Sequence, residues 1–152
     1  MKTLSNPDDK QEILTRLAVL TPASQRRWGS MTPNGMICHM NDSFKSTMGE
    51  RELKTLKPPL PRRFMMFVAL WVPLKWPPGI PTAPECDQKT GGTQPVDFAS
   101  DLAEFHALFE RFTQQPRPFA WAPHPMFGPM SDKDWMRWGY RHMDHHLRQF
   151  GV

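Results

Sequence analysis

Cysteine is scarce: Cys38 and Cys86 are the only two in 152 residues. Two thiols do not build a disulfide framework, so reduced cysteines in a cytoplasmic protein are the expectation. The opening MKTLSNPDDKQEIL has no apolar core of the kind an export signal carries. The longest apolar run, Phe64 to Leu74, is interrupted by Pro73 and falls well short of the roughly 20 residues that a membrane span needs. No sustained alternation of apolar and polar residues marks strands, and no fixed-period repeat is present. Gly91 and Gly92 lack the preceding strand and the following Lys-Ser/Thr of a phosphate loop. Formal charge is only +4, with basic residues interleaved among acids, which argues against a nucleic-acid partner.

Proline is abundant, at 17 residues, most of them outside the periodic segments. They predict long, ordered connections. With 39% hydrophobic and 22% charged residues, the composition is that of one globular domain spanning residues 1–152.

The periodic segments are helical. The first is expected over Pro7 to Leu20, capped by Asn6, with Asp8 and Asp9 at the positive end of its dipole. Its buried face would hold Ile13, Leu14, Leu17, Val19 and Leu20. The second runs from Pro33 to Met48, capped by Thr32, with Gly49 just past its end. His39 points inward with its apolar stripe or lies at the edge. A Pro-rich insertion, Glu50 to Pro95, follows; RRFMMFVALWV within it forms a short helix closed by Pro73. A third long helix is expected from Val96 to Gln114, its core stripe running through Val96, Ala99, Leu102, Ala103, Phe105 or His106, Phe109 and Phe112. The last covers Ser131 to Gln149, where Ser131 and Asp134 give a capping-box pattern and Gly151 suits a left-handed C-cap. The architecture these segments predict is all-α: a four-helix bundle with a long Pro-rich insertion between the second and third long helices.

The final helix carries the chemistry. At about 100° per residue, Trp135, Trp138, His142, His146 and Gln149 share one stripe. His142 and His146, four residues apart, stack one turn apart and point the same way. With His39 from the second helix they offer three imidazoles. Such a set suits Zn²⁺ first, with Ni²⁺ or Fe²⁺ as alternatives, and leaves a coordination position open. Asp42, His145 and Gln149 are candidates to support the ligand rings. His124 belongs to a loop and reads as a packing or turn residue, and His106 as an edge histidine. Cys38 reads as a buried thiol, and Cys86 has no base beside it. Arg26, Arg27, Arg62 and Arg63 are solvated faces or meet an anionic substrate at the mouth of the site.

The ending HMDHHLRQFG resembles the closing HxxHH-R-Q signature of the DinB/YfiT-like superfamily, and RWGSMTPNGMICHMNDS resembles its region around the first histidine. The stretches GIPTAPECDQKTGGTQPVDFASDL and HPMFGPMSDKDW look like a smaller branch classed as a domain of unknown function. The resemblance covers about Trp28 to Gly151. It implies a four-helix bundle in which His39, His142 and His146 hold one divalent ion, often in a homodimer. It also implies a metal-dependent transferase, isomerase or hydrolase that activates a low-molecular-weight thiol or water toward a small-molecule substrate. Two rival readings stand beside it. One is a non-catalytic dimeric bundle with a vestigial histidine cluster. The other attaches to a membrane surface through Phe64 to Leu74, with Arg62 and Arg63 as anchors; burial of that segment is the favoured expectation.

Overall fold

The first N–H groups of a helix have no partner inside it, and a polar side chain just ahead of them supplies one. Four helices of this chain start that way. Asn6 accepts from the N–H groups of Asp8 and Asp9 ahead of α1 (Pro7–Leu17). Thr32 accepts from Gly35 ahead of α2 (Pro33–Thr47). Asp97 caps α4 (Phe98–Thr113), and the Ser131–Asp134 capping box opens α5 (Asp132–Gln149). The short α3 (Arg62–Trp71) has no side-chain cap. The computed structural model describes residues 1–57 and 59–152. Among these it is all-helical, with five α-helices, a 3₁₀ turn at Pro84–Cys86 and no strand. None of the described helices is long and apolar enough to cross a membrane.

α2 packs against α4, α1 against α5, and α3 against α5. Phe44 of α2 meets Phe105, Phe109 and Phe112 of α4 in the fully buried centre. Gly139 lets the N-terminal segment and α4 close onto α5: a Cβ there would stand 2.8 Å from both Leu4 Cδ1 and Phe112 Cε1.

α3 is fixed to α5 through its carbonyl end. Arg137 donates to the Leu70 carbonyl at 2.8 Å, and Arg141 donates to those of Val72 at 2.7 Å and of Leu74. Both guanidiniums are buried, and the negative end of the α3 dipole faces them. The Trp71 indole N–H adds a hydrogen bond to Asp134 at 3.0 Å.

Three expectations are corrected at this level. α1 stops at Leu17, because a tight turn from the Leu20 N–H to the Leu17 carbonyl carries Leu20 into the core and leaves Val19 exposed. α4 begins at Phe98, after its Asp97 cap, so Val96 lies outside the helix and Ala99 and Ala103 face solvent. The buried stripe is Asp101, Phe105, Leu108, Phe109 and Phe112 instead. The segment Phe64–Leu74 is only partly buried. Leu70 is 0% exposed, but Phe64, Phe67 and Leu74 are more than half exposed, because α3 is apolar around most of its circumference and packs on one side only.

Candidate metal centre

The two α5 histidines lie one turn apart on the face turned toward α2, and His39 meets them from that helix. Nε2 of His142 is 3.0 Å from Nε2 of His39 and 3.1 Å from Nε2 of His146. The three ligand atoms fall within 4.8 Å of one another. His39 and His146 are buried; His142 is half-buried.

What holds the opposite edges of the rings fixes which nitrogens are free. Nδ1 of His39 lies 2.9 Å from the carbonyl oxygen of Cys86. A carbonyl only accepts, so the proton is on Nδ1 and the Nε2 lone pair faces the centre. Nδ1 of His146 lies 3.0 Å from Oε1 of Gln149. The Gln149 amide N–H donates to the Trp28 carbonyl at 3.1 Å, which aims Oε1 at the ring and places a second lone pair at the centre. One proton on His142 can serve only one of the two lone pairs well, and Nδ1 of His142 has no partner. A cation in the middle satisfies all three nitrogens at once. A tetrahedral zinc ion, with Zn–N of about 2.0–2.1 Å, spaces its nitrogens about 3.3 Å apart, only a few tenths of an ångström beyond the two separations seen here. Burial pushes the pKa of all three imidazoles below the ordinary histidine value, helped at His142 and His146 by their neighbours' charge. The neutral imidazole is the form that ligates.

Gln149 thus holds the His146 ring from its far edge. Asp42 does not touch the His39 ring. It is fully buried and accepts from the Thr93 backbone N–H at 2.8 Å and the Thr93 hydroxyl at 2.6 Å, and pairs with Arg51 at 3.0 Å. Arg51 also donates to the carbonyls of Glu85 at 2.8 Å and Gly91 at 2.6 Å. Asp42 and Arg51 thus hold the loop that presents the Cys86 carbonyl, two steps removed from the ring. His145 is buried beside the centre, its ring 5.1 Å from that of His146 and 5.8 Å from that of Trp28.

The remaining candidates stand apart from the three nitrogens. Nδ1 of His124 accepts from the backbone N–H groups of Met126 and Phe127 at 3.1 and 3.2 Å, a turn role. His106 is exposed. Cys38 and Cys86 are buried free thiols, and burial pushes each pKa up to about 12, which keeps them protonated. Arg26 and Arg27 fasten the loop before α2, Arg26 to the Gly29 carbonyl and Arg27 to that of Gly151. Arg63 is exposed, and of these four arginines Arg62 lines the cavity described next.

The histidines open onto a cavity of about 900 Å³ between α2, α5 and the insertion. Trp138 and Trp76 flank His142, with ring centroids 4.7 and 6.0 Å away. Trp76 is set by its N–H bond to the Ala69 carbonyl at 2.8 Å. Neither this tryptophan nor the Cys86 carbonyl carries a signal in the sequence, since a backbone oxygen belongs to every residue and Trp76 sits in an aperiodic stretch.

Fold and site together define an all-helical protein whose three-histidine group can hold a divalent ion. Residues 8–151 match the family described as protein of unknown function (DUF1569), and the chain belongs to that family. No curated protein and no solved structure gives a significant match.

Proposed function

We propose that this protein is a metal-dependent enzyme of the DinB/YfiT-like type, with α1, α2, α4 and α5 as its four-helix bundle. His39, His142 and His146 hold one divalent ion, Zn²⁺ first. The observation that carries this reading is the convergence of three Nε2 atoms on one point while the Cys86 carbonyl and Gln149 occupy the far edges of two of the rings. When bound, the ion supplies Lewis acidity, polarising a low-molecular-weight thiol, a water or a carbonyl group brought up to it. The chain's own part is to bind and to exclude water. Cys86 and Gln149 fix the ring orientations, and Trp76 and Trp138 shield His142. Three neutral imidazoles would leave the charge of a bound divalent ion unreduced. Cys38 and Cys86 are buried, and burial pushes both pKa values up, so the attacking atom is taken to come from a thiol or water brought to the ion. The two free thiols accord with a cytoplasmic protein, and a homodimer follows from the resemblance.

A second reading is a non-catalytic dimeric binding protein. It is favoured by the state of Asp42, the acid closest in sequence to His39, whose oxygens are already taken by Thr93 and Arg51. Zinc-loaded protein incubated with low-molecular-weight thiols and small electrophiles separates the two. Thiol consumption that disappears in His142→Ala supports the enzyme. Stoichiometric zinc with neither thiol transfer nor hydrolysis supports the binding protein.

A further inference from the structure

We propose that the three-histidine centre takes an amphiphile: a small anionic, metal-seeking head group on an alkyl or aryl chain that fills the cavity beside it. This inference rests on the metal reading above and adds the substrate class. The first observation is size. About 900 Å³ lies near the top of the roughly 300–1,000 Å³ range of small-molecule pockets, far more than a water or a small thiol occupies. The second is the lining. Met65, Val68, Trp76, Ile80, Phe127 and Trp138 come from four separate stretches of chain, and all present apolar surface to the space. The third is continuity. Phe64, Val68 and Leu74 line the cavity and are also 54%, 42% and 68% exposed, so the apolar wall runs out to the surface as an apolar rim. A polar substrate gains nothing from such a rim, whereas a chain sheds its hydration along it.

Charge selects the head group. Arg51, Arg62, Lys75 and Arg141 line the cavity, against the single carboxylate of Glu52 among the described residues. Arg51 is neutralised by Asp42, but Arg141 donates to carbonyls and lies over the Trp76 ring. It has no carboxylate in an ion pair with it among the described residues, and so brings positive charge near His142. An anionic head is drawn to the three-histidine end, and the chain lies back along α3.

The test uses zinc-loaded full-length protein and two probes, acetohydroxamate and octanohydroxamate, titrated calorimetrically. They share one metal-binding head and differ by six methylenes. The expected result is at least a hundredfold tighter binding of the longer probe, since each buried methylene contributes up to about fourfold. Val68→Ser at the exposed rim, which adds no charge, should weaken octanohydroxamate severalfold more than acetohydroxamate. An equal effect on both probes would count against a chain lying along α3. Equal affinity for the two probes on protein that holds one zinc overturns the amphiphile proposal while the metal reading stands. Failure to take up zinc at all removes the metal reading, and this proposal with it.

Discussion

The carbonyl oxygen of Cys86 lies 2.9 Å from Nδ1 of His39, so a residue of the Pro-rich insertion sets the tautomer of a helix residue 47 positions earlier. The insertion is thus part of the centre rather than a decoration on the helices. The contact is made by backbone, so the Cys86 side chain is dispensable to it. Cys86→Ala should keep zinc affinity within about threefold of the parent, because the carbonyl remains and only second-order effects are expected. A large loss by calorimetric titration would mean that the sulfur, not the carbonyl, serves the site.

The loop that carries Cys86 depends on Arg51. Its guanidinium fork reaches Asp42 and the carbonyls of Glu85 and Gly91 together, a geometry that lysine cannot reproduce. Arg51→Ala leaves the buried Asp42 carboxylate without its cation. The expected cost is about 3 kcal/mol in urea denaturation, with zinc affinity about 10–100-fold weaker. Arg51→Lys should restore little of the affinity.

Gln149 holds the His146 ring, and Gly29 makes room for it. Gly29 has φ of +73°, and a Cβ there would come within 2.7 Å of Gln149 Nε2. Gln149→Ala should lower zinc affinity about 10–100-fold. Gly29→Ala should do the same from a residue that contacts no ligand, at a conformational cost of about 1–2 kcal/mol. Intact zinc binding in Gly29→Ala would show that Gln149 does not orient His146.

Gly139 tests the packing alone. Alanine is favoured over glycine in a helix by about 1 kcal/mol, yet its methyl would stand 2.8 Å from Leu4 and Phe112. Overpacking of this kind costs about 1–3 kcal/mol. Gly139→Ala should therefore be neutral to destabilising by thermal melting, and clear stabilisation would contradict the close approach of α1's leading segment and α4 to α5.

His124 gives a pH dependence. Burial lowers its pKa from 6.5 to about 3. Between those values the unfolded chain binds a proton that the folded chain does not, so stability is full above pH 6.5 and falls as pH drops toward 3. The contribution is on the order of a few kcal/mol. Asparagine can place an oxygen where Nδ1 accepts from Met126 and Phe127 without titrating. His124→Asn should show a lower plateau and a shallower acid slope in denaturation across that window; an unchanged slope would assign the titration elsewhere.

Helix starts were legible because caps are local. Asn6, Thr32 and the Ser131–Asp134 pair act within three residues of themselves. The start of α4 was misjudged because Val96 continues the apolar spacing of the helix, while Asp97, the true cap, interrupts it. The His142–His146 pair was legible from spacing on one helix. His39 joined the pair as a histidine on or beside the apolar stripe of a second helix, and the resemblance gave the same three, since no periodicity by itself links α2 to α5. Asp42 was assigned to the His39 ring because it follows three residues later on the same helix. Its actual partners, Arg51 and Thr93, come from the insertion, where Pro and Gly remove any period from which contacts can be inferred. The exposure of Phe64 and Phe67 was missed for a related reason: apolar composition signals burial, but only a partner surface provides it, and α3 has one on a single side.

The most direct measurement is elemental analysis of protein purified without chelator, alongside His39→Ala, His142→Ala and His146→Ala variants shown to be folded by circular dichroism. One equivalent of a divalent metal in the parent, and a sharp loss in each variant, is the expected result. A folded parent that takes up no metal, or variants that keep full stoichiometry, would contradict a metal centre built from these three imidazoles.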